Sequence, residues 1–157
     1  SWNVWSSRLM SLLSEIYGLK KPKKKLQTEY VHPEILLERM DFLQIAKGIV
    51  RAYKLKSKVV FNRRKGIKAD YVPETDTITI EPTSDFKDFI MTVLHEIHHA
   101  KMAQRMGIKK FVKRYNQAGQ MAAHGGLNPH DDNKWEKKAE RFAELNIDKW
   151  MKKLKKA

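Results

Sequence analysis

Between Asp85 and Gly107 the apolar residues Phe86, Phe89, Ile90, Val93, Leu94 and Ile97 recur every three or four positions, the mark of a helix that buries one face. Asp85 stands before the first of them as an N-terminal cap, with Asp88 three residues on, and Gly107 supplies the stop. The same period predicts a helix from Pro33 that turns Ile35, Leu36, Phe42, Leu43, Ile45, Ala46, Ile49, Val50 and Tyr53 toward a core. It also predicts a basic helix over about 108–123, and a last helix from about Asn133 with Ala139, Ala143, Ile147, Trp150 and Leu154 inward. Near the start, Trp2, Trp5, Leu9, Leu12, Leu13 and Ile16 share one helical stripe that ends at Gly18, and Lys20, Lys21, Lys23, Lys24 and Lys25 follow.

The period shortens between Lys58 and Glu81. Val59, Val60 and Phe61 form a short β run, and Thr77 to Glu81 alternates Thr with Ile. Pro73, Glu74, Thr75 and Asp76 are turn-formers between Ala69-Asp70-Tyr71-Val72 and the alternating strand, so a hairpin is expected, with Pro82 closing it. Gly125, Gly126, Asn128 and Pro129 mark a loop before the last helix. The expected class is α+β: a small, mostly antiparallel sheet packed against helices. Residues 1–25 are expected to be an amphipathic helix with a Lys-rich linker, and residues 26–157 a single domain.

Composition narrows the chemistry. The 157 residues suffice for one core, and with no cysteine the chain excludes disulfides, thiolate metal sites and cysteine nucleophiles, so any metal must rest on His and carboxylate. Lys plus Arg outnumber Asp plus Glu by 32 to 18, a formal charge of +14 that draws the protein toward polyanions. Apolar stretches fall far short of the roughly 18–20 residues that cross a bilayer, and no segment is patterned as a signal peptide, so a soluble, cytoplasmic protein is expected.

Against this background one segment carries chemistry. His95-Glu96-Ile97-His98-His99 fits H-E-x-x-H, in which two histidines four apart on a helix present both imidazoles to a zinc ion and the intervening Glu lies beside it as general base for peptide hydrolysis. At 100° per residue, His95 and His99 point nearly opposite to the stripe centred on Phe86 and Ile97. His98 falls off that face and has no metal role.

A catalytic zinc takes three protein ligands and an open position, so a third must come from elsewhere. The candidates are His124, His130, Asp131, Asp132, Glu136 and Glu140. Glu136 lies in line with Ala143, Ile147 and Leu154 on the buried stripe of the last helix, with Glu140 beside it, whereas Glu144 and Asp148 fall on the wet side with Lys137 and Arg141. A carboxylate on a core-facing stripe is costly unless it binds a metal or a partner. Glu136 is therefore assigned as ligand and Glu140 as acceptor for the second ring N–H of a zinc-bound His. His124 competes for the third position, and salt bridges of both glutamates to Lys or Arg are the plainer alternative.

Taken together, His95-Glu96-x-x-His99 and the later Glu136-x-x-Ala139-x-x-Phe142-Ala143 resemble the zincin metallopeptidases of gluzincin type, in particular small IrrE-like peptidases of bacteria and bacteriophages. The resemblance covers about residues 58–147 and implies a minimal zincin-like fold, a zinc cofactor, a peptide or protein substrate and, for a phage protein, association with the virion. It also implies that Thr77 to Glu81 is the edge strand that aligns the substrate. The metzincin pattern is closed, because its third His would fall on Arg105. The gap between His99 and Glu136 exceeds that of the shortest gluzincins and holds an extra basic helix. SprT-like proteases, which act on proteins crosslinked to DNA, are a second relative suggested by the basic charge, although they use a third His. Tyr115 or His124 is the expected donor to the tetrahedral oxyanion.

Two further roles are open. The Trp2/Trp5 helix and its Lys linker suit docking to a protein partner, a membrane surface or a nucleic acid, which fits a metal-holding module of a larger assembly without catalysis; packing of this helix on its own domain is the plainer alternative. Lys109, Lys110, Lys113 and Arg114, with the Lys-rich end, supply charge for weak, sequence-indifferent contact with nucleic acid or acidic partners.

Overall fold

The structure, a computed structural model, describes residues 33–61, 69–81 and 85–155, with side chains for 41–61, 69–81 and 85–154. The expected Trp2/Trp5 helix and the linker through Lys25 lie outside the described residues. Four helices are described, α1 (Pro33–Ala52), α2 (Phe86–Met106), α3 (Ile108–His124) and α4 (Lys134–Lys155), with strands β1 (Lys58–Phe61), β2 (Ala69–Val72) and β3 (Thr77–Ile80). The class is α+β.

Alternation places the sheet. Ile78 and Ile80 are fully buried, and Tyr71 and Ala69 pair with them across the antiparallel β2–β3 ladder, so these four share the core face. Asp70 and Val72 pair with Thr79 and Thr77 on the other face. The hairpin closes through a 3₁₀ turn at Pro73–Thr75, and Asp76 takes a left-handed conformation with φ 48°. That strained residue is held from several sides. Ser57 Oγ donates to Asp76 Oδ1 at 2.7 Å, Tyr71 Oη donates to the same oxygen at 2.9 Å, and the Lys58 amide donates to the Asp76 carbonyl. Burial, reinforced by the bond to Asp76, pushes the Tyr71 phenol above its ordinary range.

The sheet corrects two expectations. Its order is β1-β3-β2, with β1 parallel to β3, so it is mixed, half parallel and half antiparallel. β3 is consequently the central strand: both of its edges are paired, and Thr77–Ile80 offers none to a substrate. The alternation of Thr and Ile sets which side chains face the core, but which edge is free depends on a pairing between distant segments. Among the described residues the edge strands are β1 and β2.

Helix α2 is the axis of the molecule. Phe89, Ile90, Val93, Leu94 and Ile97 are all buried to within 1 % of complete, against Phe42, Ile45 and Ile49 of α1 and the sheet. Phe42 meets Phe89 edge-on with centroids 4.5 Å apart. The other flank of α2 packs on α4, the most extensive contact between elements, where Ala139 and Ala143 allow close approach and Ile147, Trp150 and Leu154 continue the seam. Trp150 Nε1 donates to Tyr53 Oη at 2.9 Å and ties α4 to the end of α1.

The helix ends follow the local signals. Asp85 Oδ1 accepts the Lys87 amide at 3.0 Å. Gly107, at φ 90°, lets the chain leave α2 and enter α3 at once, its amide donating to the Ala103 carbonyl and its carbonyl accepting from Phe111. Asp85→Ala is expected to lower stability by about 1 kcal/mol without altering the fold. Chemical denaturation measures this, and an unchanged midpoint would remove the cap from the account.

Candidate metal centre

Two helices bring the site together. His95, Glu96 and His99 lie on α2 where it faces α4, and Glu136 lies in the first turn of α4. Asn133 sets that first turn. Fully buried, it accepts the Trp135 amide on Oδ1 at 2.9 Å and donates from Nδ2 to the Tyr115 carbonyl at 3.1 Å, capping α4 while fastening it to α3. A Cβ on Gly119 would stand 3.2 Å from the Pro129 carbonyl and 3.6 Å from Asn133 Nδ2, so α3 meets the loop before α4 at a contact that suits glycine.

The ligand atoms converge. His95 Nε2 lies 2.7 Å from Glu136 Oε2, His99 Nε2 lies 3.2 Å from Glu136 Oε1, and the two Nε2 atoms are 3.3 Å apart. One atom from each of the three residues falls within 4.8 Å of the others, a group that can hold a metal ion. The spacing suits one. Donors about 2.0–2.1 Å from a tetrahedral zinc are separated by about 3.3–3.4 Å, close to the nitrogen–nitrogen distance here. Two imidazole nitrogens aimed at each other and at a carboxylate are a natural setting for a cation or a proton between them.

Electrostatics agree with that geometry. His95 Nδ1 lies 3.2 Å from Glu140 Oε2, so each ring nitrogen faces a carboxylate. Burial pulls this imidazole down, but the Glu136 bond and the charges of Glu96 and Glu136 outweigh burial and raise it to about 9. Burial would likewise raise Glu136, yet hydrogen bonds from His95, His99 and Tyr115 hold it far below the usual carboxylate range. Glu96 differs. It is 8 % exposed and makes no hydrogen bond among the described residues, and burial pushes it up to about 8, with help from Glu136 and Asp70 and against His95.

The surroundings sort the remaining candidates. Tyr115 Oη donates to Glu136 Oε1 at 2.6 Å, so its hydroxyl is directed at the carboxylate. Glu140 is half-exposed, reaching His95 from the rim of the buried stripe. His130 stands at the mouth, exposed, with Nε2 3.5 Å from Glu136 Oε1 and Nδ1 3.1 Å from Asp131 Oδ1. His124 ends α3 in solvent and is outside the grouped ligand atoms. His98 packs its ring on Phe142 at 5.4 Å, and burial, with the neighbouring His99 and Lys101, lowers it to about 4.

Two contributors escape the sequence. Asp70, on edge strand β2, lines the cleft in front of His95 and Glu96. Nothing local to Ala69-Asp70-Tyr71 marks it, because its role comes from the pairing that makes β2 an edge. Asn133 stands at the expected start of the last helix, but its bond to the Tyr115 carbonyl is a tertiary contact that spacing cannot reveal. The basic residues Lys109, Lys110, Lys113 and Arg114 on α3, and Lys149, Lys152 and Lys153 on α4, are exposed. No described helix is long and apolar enough to cross a membrane.

Comparisons with protein-family models, with curated proteins and with solved structures find no match to this chain.

Proposed function

We propose that the chain is a zinc-dependent peptidase, with His95, His99 and Glu136 as metal ligands and Glu96 as general base. The observation that carries this reading is the convergence of two Nε2 atoms and a carboxylate beside a buried, unbonded glutamate at the floor of an open cleft. A zinc ion there would supply a Lewis acid for the scissile carbonyl and for water, and positive charge that favours the ionised form of Glu96.

The chain's own residues divide the remaining work. Glu96 takes a proton from the attacking water and returns it to the leaving amine. Glu140, accepting from His95 Nδ1, fixes the tautomer that leaves Nε2 free for the metal. Tyr115 holds one oxygen of Glu136 and so sets the orientation of the carboxylate, a role its geometry supports better than donation to an oxyanion. Among the described residues the free edge beside the cleft belongs to β2, and an extended substrate would pair there rather than along β3.

The zinc-loaded protein is expected to release new amino termini from unfolded protein substrates, to stop when a chelator removes the metal, and to resume when zinc is restored. Zinc bound at full occupancy with no cleavage of any peptide would overturn the reading.

A further inference from the structure

The cleft over the metal ligands has a volume of about 320 Å³, and its lining departs from the rest of the molecule. Among the described residues no Lys or Arg lines it, although the chain has 32 of them, while Asp70, Glu74, Glu96 and Glu136 do. A dication held by His95, His99 and Glu136 would offset the charges of Glu96 and Glu136. Asp70 and Glu74 would remain, both exposed, and neither carboxylate has a cationic partner among the described residues. The Asp70 charge reaches into the site, since it contributes to raising both Glu96 and Tyr115.

Position adds to charge. Asp70 is on the edge strand, on the sheet face it shares with Thr79, so a strand added to β2 would set one side chain next to it on that face. Glu74 follows in the 3₁₀ turn at the end of the same strand. The cleft also holds the buried Glu96, which has no hydrogen-bonding partner among the described residues, so a polar group aimed into the cleft is left for what enters. The +14 of the chain opposes a cationic ligand at long range, but beyond about 8 Å salt screens that field, whereas the two carboxylates act at contact.

We propose that the cleft selects peptides bearing a Lys or Arg side chain beside Asp70 and Glu74, an inference that rests on the peptidase reading for its substrate class. Two partly exposed ion pairs together give about a tenfold preference over a neutral side chain of similar size. The test uses the zinc-loaded Glu96→Gln protein, so that binding is measured without turnover, and three extended peptides that differ only in Arg, Gln or Glu at one position, scanned along the sequence. At one position the Arg peptide is expected to bind about tenfold more tightly than the Gln peptide and the Glu peptide most weakly, with the Arg-to-Gln ratio falling toward one in Asp70→Asn/Glu74→Gln. Equal affinities at every position, absent binding of the Arg peptides, or a ratio unchanged in the double variant overturns the proposal. Cleavage by the wild-type protein separates the two ideas. Turnover of Arg and Gln peptides at equal kcat/KM would retain hydrolysis and discard the preference, whereas selective binding with no turnover would discard hydrolysis alone.

Discussion

Glu96→Gln is expected to retain zinc and to lower kcat/KM for peptide cleavage by roughly 10²–10⁴-fold, the range that a positioned general base contributes. The substitution keeps the size and planarity of the side chain while removing its basicity. Glu96 is not among the grouped ligand atoms of His95, His99 and Glu136, so the metal loses no donor. Its burial at 8 % exposure, without a hydrogen bond among the described residues, makes Gln easy to accommodate, because an amide costs less to desolvate there than a carboxylate. The variant should therefore be at least as stable as the parent. Metal analysis, thermal unfolding and steady-state cleavage give three separate readouts, and full activity with zinc in place would remove Glu96 from the mechanism.

The second large effect concerns the third ligand. Glu136→Ala is expected to weaken zinc binding more than about 100-fold, beyond what loss of an outer hydrogen-bond partner costs. His124→Ala should leave affinity unchanged, because His124 ends α3 in solvent. Glu140→Ala is intermediate: it removes the acceptor 3.2 Å from His95 Nδ1 but no ligand, so a loss of about 10–100-fold is expected. Competition against a chromophoric chelator orders the three variants. Loss of zinc in His124→Ala with retention in Glu136→Ala would move the third ligand to α3.

Much of this arrangement is legible before any coordinates, and the reasons are local. The cap at Asp85, the stop at Gly107 and the stripe from Phe89 to Ile97 are set by neighbours within a turn or two, so the periodic pattern places α2 within a residue of its observed start. The inward direction of Glu136 follows because Ala139, Ala143 and Ile147 are buried in the same row. What fails is pairing at a distance. The alternation of Thr77 to Ile80 is compatible with either a central or an edge strand, and only the parallel partnership with β1 decides between them. Asp70 and the Asn133 tie to Tyr115 are hidden for the same cause, since each depends on segments far apart in the chain.

The three ligand side chains belong to helices that α3 and a loop separate in sequence, so an ion gripped by all three clasps α2 to the beginning of α4. A ligand that recognises only the folded chain adds stability that grows with its concentration, about 4 kcal/mol at a thousandfold excess over Kd. Domains of this size hold together by only about 5–15 kcal/mol in all. Starved of metal, the molecule would lose a sizeable part of its margin against unfolding and proteolytic turnover, and its lifetime in a cell would then rise and fall with the supply of the ion.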